Sequence, residues 1–236
     1  MDLATLSHIA FMLGFVAMAA GTFYFFMERG DLKPEHRSAA TYAGVITFIA
    51  AIMYWTMKDM VGFLPPYTST PVVATMPVRY LDWVLTTPLL LVEFGIIAAI
   101  CGVGKGMTTK LVLADLVMIV FGYLGEVSTP GASETYLYFI LSTLGWLYIV
   151  WQVWGMKPTG GTDAAKKGVE NMKKFVIFGW MIYPIGTAIQ QFMSLNGTDA
   201  ATVLTATQIA AVIYVVADVL NKVGFGMVAV HTAKHS

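Results

Sequence analysis

Lys222 lies in a long apolar run, residues 215–226, with Asp218 four positions before it. Residues four apart share a helix face, so the ammonium and the carboxylate can meet inside that segment. A charge in such a place costs on the order of several kcal/mol unless it is paired or functional. A buried lysine is also the side chain that condenses with an aldehyde to form a Schiff base. The plain alternative is an ion pair that only ties a helical bundle together. A second set stands on another apolar segment, where Arg79, Asp82, Thr86 and Glu93 recur. At about 100° per residue these four fall within about 60° of one another. A strip of ionisable groups through an apolar helix is the pattern of a proton relay. Asp82 and Glu93 would be separated by ~16 Å of helix rise. Bridging between neighbouring helices is the competing reading, but Glu93 has no evident basic partner.

The elements that must position these groups are legible from composition. The chain has 236 residues, of which 57% are hydrophobic and 12% charged, and its mean hydropathy is +0.70. Apolar stretches recur near residues 5–27, 38–62, 77–101, 108–125, 135–156, 170–194 and 202–230. Each approaches the roughly 20 residues that a helix needs to cross a bilayer, the fourth being the shortest. The expectation is an all-α bundle of seven membrane-spanning helices, forming one domain over residues 1–236.

Basic residues set the orientation. Arg29, Lys33, Arg37, Lys105, Lys110, Lys157, Lys166, Lys167, Lys173, Lys174 and Lys234 fall on one side, against Lys58 on the other. The positive-inside rule then puts the N-terminus outside and the C-terminus in the cytoplasm. Arg79 and Lys222 are left within spans. With the N-terminus outside, the third span runs inward, so Arg79 lies nearest the external surface and Glu93 towards the cytoplasm.

Other classes are disfavoured. A net charge of zero argues for no nucleic-acid partner. The single cysteine, Cys101, allows no intrachain disulfide. His8, His36, His231 and His235 are scattered near segment ends and form no metal-ligand pattern. The first apolar run is longer than a signal core and lacks a basic leader, so it reads as a span. Residues 64–71, rich in proline and threonine, make a rigid external connection. Residues 157–163 start the longest cytoplasmic loop, and residues 194–199 form an external turn. Pro88 and Pro184 fall inside spans three and six, where kinks can shape a cavity.

Three spaced motifs extend this reading. Arg79-Tyr80-x-Asp82-Trp83-x-x-Thr86-Thr87-Pro88-Leu89-Leu90-Leu91 on span three, Trp180-x-x-Tyr183-Pro184 on span six and Asp218-x-x-x-Lys222 on span seven together resemble a microbial rhodopsin. Phe178-Gly179-Trp180 and Asp218-x-x-Asn221-Lys222 resemble the bacterial proton-pumping branch, the proteorhodopsins and their relatives. The resemblance covers essentially the whole chain. It implies all-trans retinal held by Lys222 as a protonated Schiff base. Asp82 would be the primary counterion and proton acceptor, Asp218 the second counterion and Glu93 the cytoplasmic proton donor. Arg79 would order the external half-channel, and Thr86 would hydrogen-bond near Asp82. Trp83, Thr87, Leu90, Trp180 and Tyr183 would line the retinal pocket, with Met118, Gly122 and Asp115 from span four. Tyr54 and Tyr183 would hydrogen-bond Asp218. Donor inside and acceptor outside imply a light-driven outward proton pump, not an enzyme; the resemblance further implies a homo-oligomer in the plasma membrane.

Departures from the pattern matter. Met53 stands where proteorhodopsins carry a histidine beside the primary counterion, and Ala210 where haloarchaeal pumps carry a release glutamate. Phe139 fills the place where carotenoid-binding relatives have glycine, which argues against a carotenoid antenna. Leu90 matches the position at which leucine accompanies green absorption. A sensory rhodopsin signalling through a transducer is the alternative; such sensors commonly lack a carboxylic donor at the position of Glu93.

Overall fold

The computed structural model describes residues 2–104, 106–129, 131–196 and 199–236. Met1, Lys105, Pro130, Gly197 and Thr198 lie outside the described residues, so the contribution of Lys105 to the charge bias and the middle of the expected 194–199 turn are not described. Among the described residues, seven helices are long and apolar enough to cross a membrane. They are α1 (Leu3–Asp31), α2 (Pro34–Val61), α3 (Val72–Ile100), α4 (Gly106–Val127), α5 (Ser133–Gly155), α6 (Asp163–Met193) and α7 (Ala200–Lys234).

Local chemistry sets several helix ends. Asp2 accepts from the Thr5 N–H and caps α1 at 2.8 Å. Thr162 caps α6 through the Ala165 N–H at 3.1 Å, and Asp199 caps α7 through the Thr202 N–H at 2.7 Å. Such side chains satisfy donors that the first helical turn leaves unpaired. The Thr162 cap starts α6 seven residues before the apolar stretch begins at residue 170. The added turns carry Lys166 and Lys167, which an apolarity search passes over. At the end of α2, Gly62 adopts φ +72°, a left-handed conformation suited to glycine.

Packing is arranged for a hydrocarbon solvent. Large apolar side chains face outward, among them Leu113 and Val117 of α4, Leu144 and Trp151 of α5, and Phe23 of α1. The inner face of α2 includes many small residues, among them Ala39, Ala43, Ala50 and Ala51, all buried. Small side chains let helices approach closely where no hydrophobic force separates helix from lipid. Polar groups lie inside instead: Asp82, Thr86, Glu93, Asp115 and Asp218 have no exposed surface and Lys222 has 1%.

Two helices depart from α geometry where they face each other. Residues Phe175–Gly179 of α6 and Val219–Gly224 of α7 form π-helical turns. The wider turn in α7 contains Lys222. Such insertions in otherwise α-helical segments recur at functional sites.

Candidate functional site

The site is built around Lys222 Nζ. It lies 2.5 Å from Asp82 Oδ2 on α3 and 3.2 Å from Asp218 Oδ2, one turn earlier on α7. All three side chains are sealed from solvent. A buried cation with two carboxylates in contact is the arrangement that offsets desolvation, provided the remaining oxygen lone pairs are also used.

The two carboxylates differ in how far that condition is met. Asp218 receives the Tyr54 hydroxyl at Oδ2 and the Tyr183 hydroxyl at Oδ1, each at 2.7 Å, and the Trp83 indole N–H at Oδ1 at 3.3 Å. Helices α2, α3 and α6 thus each aim one neutral donor at it. Among the described residues, the one neutral donor to the Asp82 carboxylate is the Thr86 hydroxyl, at 3.4 Å, which also donates to the Asp82 carbonyl at 2.8 Å. Asp82 therefore keeps room to accept a proton, whereas Asp218 is held by a full set of donors.

Beside this pair runs a cavity between α3, α4, α5 and α6. Its walls include Trp83, Thr87, Met118, Gly122, Trp180 and Tyr183. A Cβ added at Gly122 would sit 3.1 Å from the Tyr80 hydroxyl and 3.3 Å from that of Ser142, so glycine there keeps the passage open. Phe139 also lines the cavity. Thr87 donates to Asp115 at 2.8 Å, tying α3 to α4 at the cavity wall. Leu90 is buried in the apolar cluster that also holds Leu91, Phe94 and Trp180.

Glu93 is separate from this cluster. It has no exposed surface, and neither carboxylate oxygen has a hydrogen-bond partner among the described residues. Phe94 and Ile97 of the same helix are fully buried in the surrounding apolar cluster. Arg79 is buried at the opposite end of α3. Its Nη2 donates to Thr75 at 3.4 Å, and its guanidinium lies 4.5 Å from the Tyr214 ring centroid.

Some partners escaped the sequence reading. Tyr214 precedes Asp218 by one turn and packs edge-on against Trp83, with centroids 5.2 Å apart; the i, i+4 spacing could have pointed to it. Glu126 fell just beyond the expected end of span four at residue 125, and α4 carries it inside the helix. Gln191 is buried on the cavity wall, with neither amide atom hydrogen-bonded among the described residues.

Residues 5–236 match the family described as bacteriorhodopsin-like protein. The chain belongs to that family. This bacteriorhodopsin-like chain is 32% identical over 233 residues to the green-light absorbing proteorhodopsin of Gamma-proteobacterium EBAC31A08, covering 97% of this chain and 86% of the relative. It is 30% identical over 229 residues to the sensory rhodopsin-2 of Natronomonas pharaonis, covering 94% and 87%. The crystal structure of Exiguobacterium sibiricum rhodopsin superposes with a TM-score of 0.84 at 36% identity, over 99% of this chain and 97% of that one. Its seven spans and its family make it a multi-pass protein of the cell membrane.

Proposed function

We propose that this protein is a light-driven outward proton pump carrying all-trans retinal on Lys222. The observation that carries the reading is the Lys222–Asp82 contact, with a buried Glu93 on the same helix as Asp82 that has no hydrogen-bond partner among the described residues. The donors present fit the group: a buried amine, two carboxylates at its nitrogen and an aromatic cavity alongside. When bound as a protonated Schiff base, retinal supplies a light-driven change of geometry at the Lys222 nitrogen.

The chain's own residues do the rest. Asp82 and Asp218 hold a proton at Lys222 Nζ, since opposite charges favour the charged form. Asp82, with a single weak neutral donor, is the oxygen to which that proton passes. Asp218 stays in place, fixed by Tyr54, Tyr183 and Trp83. Glu93, in dry surroundings, holds the proton that restores Nζ. Trp83, Trp180 and Tyr183 would hold the retinal, with Met118, Thr87 and Gly122 of the same cavity and Leu90 beside them.

Vectoriality follows from orientation. The excess of Lys and Arg on one side supports an external N-terminus and a cytoplasmic C-terminus, so Arg79 and Asp82 face out and Glu93 faces in. The chain functions as one retinal-binding domain over residues 1–236, assembled as a homo-oligomer. The sensory relative favours a second reading, signalling through a transducer; Glu93 supports the pump against it.

The test is the pH of an unbuffered suspension of cells expressing the chain with added retinal, under green light. Acidification abolished by a protonophore is the expected result, absent in Lys222→Ala. Coloured protein without any pH change would overturn the pump and favour the sensor.

A further inference from the structure

A proton accepted at Asp82 still has to cross the external end of the bundle, past Arg79. On α7, residue 210 is alanine and brings no carboxylate there. On α4, Glu126 does. It is partly buried, one turn beyond the cavity-lining Gly122. The Gln190 Nε2 donates to its Oε2 at 2.6 Å, which ties α4 to α6. On the same helix as Gln190, the Thr187 hydroxyl lies 2.8 Å from the Tyr214 hydroxyl.

The surrounding groups come from three helices. Gln190 of α6 bonds Glu126 directly, and Arg79 and Tyr80 of α3 and Tyr214 of α7 lie near enough to couple to its charge. None of the ion pairs among the described residues includes Arg79 or Glu126. Arg79 instead lies over the Tyr214 ring, close enough for its charge to act on Glu126 without a direct contact. A carboxylate held by a hydrogen bond near, but not against, a guanidinium is free to gain and lose a proton. A closed Arg–Glu pair would oppose protonation.

We propose that Glu126 is the proton-exit group, the carboxylate through which the proton taken up by Asp82 leaves for the external solution. The proposal rests on the outward-pump reading and extends it to a residue on α4. The step balances without any co-reactant. One Glu126 oxygen gains a proton from the Asp82 side as Asp82 returns to a carboxylate, and then loses it to external water. Gln190 holds the Glu126 side chain in register, and the bonded Thr187 and Tyr214 hydroxyls link α6 to α7. The route leaves along α4 and α6 rather than along α7.

Glu126→Gln keeps the shape and removes the titratable proton. It is compared with the unaltered protein, both loaded with retinal in nanodiscs. Light-minus-dark infrared spectra in the carboxyl C=O region are recorded beside the signal of a pH-indicator dye in the external solution. The expected result is a carboxyl band, present in the unaltered protein and absent in the variant, that changes in step with proton appearance. Proton appearance in Glu126→Gln should be delayed about tenfold or more, with transfer to Asp82 unchanged. Identical infrared bands and identical dye timing in both proteins would overturn the proposal.

If Glu126→Gln forms no pigment, Gln190→Leu serves instead. It removes the 2.6 Å hydrogen bond while leaving Glu126 in place. A shifted carboxyl band with altered release timing supports the proposal, and no change in either overturns it. Failure of the pump reading itself shows separately, as unaltered protein that releases no proton in the light.

Discussion

Asn221 on α7 donates its side-chain amide to the Gly179 carbonyl on α6 at 3.0 Å, joining the π-helical turn that carries Lys222 to the π-helical turn that precedes Trp180. The wider turns leave carbonyls without their usual partners, and a side chain from the facing helix takes one of them. The contact is close: a Cβ at Gly179 would lie 2.0 Å from Asn221 Oδ1. Lys222 and the aromatic wall of the cavity are thus fixed to one another through adjacent residues.

Gly179→Ala should therefore displace the Asn221 amide and break this link. The expected cost is about 1–3 kcal/mol, that of leaving a buried polar group unpaired. Thermal bleaching of the pigment, followed by loss of colour, measures it. An unchanged bleaching temperature would show that the two turns hold without the contact.

The unequal support of the two carboxylates predicts unequal phenotypes. Asp82→Asn removes the acceptor at 2.5 Å from Nζ and loses only one weak donor, so the pigment should form. Loss of the negative charge beside the protonated nitrogen should shift absorption to longer wavelength, and transport should fall by about 100-fold or more. Asp218→Asn leaves Tyr54, Tyr183 and Trp83 competing for a single carbonyl oxygen, so it should lower pigment yield and stability instead. Absorption spectra and yields on retinal addition separate the two cases.

Glu93→Gln breaks no hydrogen bond, because both oxygens of Glu93 lack partners among the described residues. Folding and colour should be retained, and the proton transfer to Asp82 should proceed. Restoration of the proton at Nζ should slow by about 100-fold, the scale of a lost positioned acid. Flash spectroscopy reads this directly. Recovery at the rate of the unaltered protein would remove Glu93 from the relay.

The cap of α7 gives a pH dependence outside the bilayer. The Thr202 backbone N–H and, second to it, the Thr202 hydroxyl hold the Asp199 carboxyl below the ordinary carboxylate range. A depressed carboxylate contributes stability above its unfolded pKa and loses it as pH falls through the folded value. Protection of the Thr202 amide against hydrogen exchange should thus be constant near neutral pH and fall in acid below about pH 4. Asp199→Ala should show reduced protection that no longer depends on pH. A pH-dependent loss persisting in that variant would mean that another group controls the helix end.

By itself the sequence determined the seven spans, because crossing hydrocarbon demands about 20 apolar residues in each helix and leaves little freedom in where they fall. It also determined which face of α3 carries Arg79, Asp82, Thr86 and Glu93, since helical periodicity is local, and that Asp218 and Lys222 share a face of α7. Only the tertiary structure decided that Asp82 rather than Asp218 stands closer to Nζ, because that ranking depends on how α3 packs against α7. The full donor set of Asp218 comes from α2, α3 and α6, residues far apart in the chain whose meeting no local period encodes. The π-helical turns and the Gln190–Glu126 bond that ties α6 to α4 belong to the same class. Periodicity fixes which way a side chain points along its own helix; what it meets there is fixed by the packing of the others.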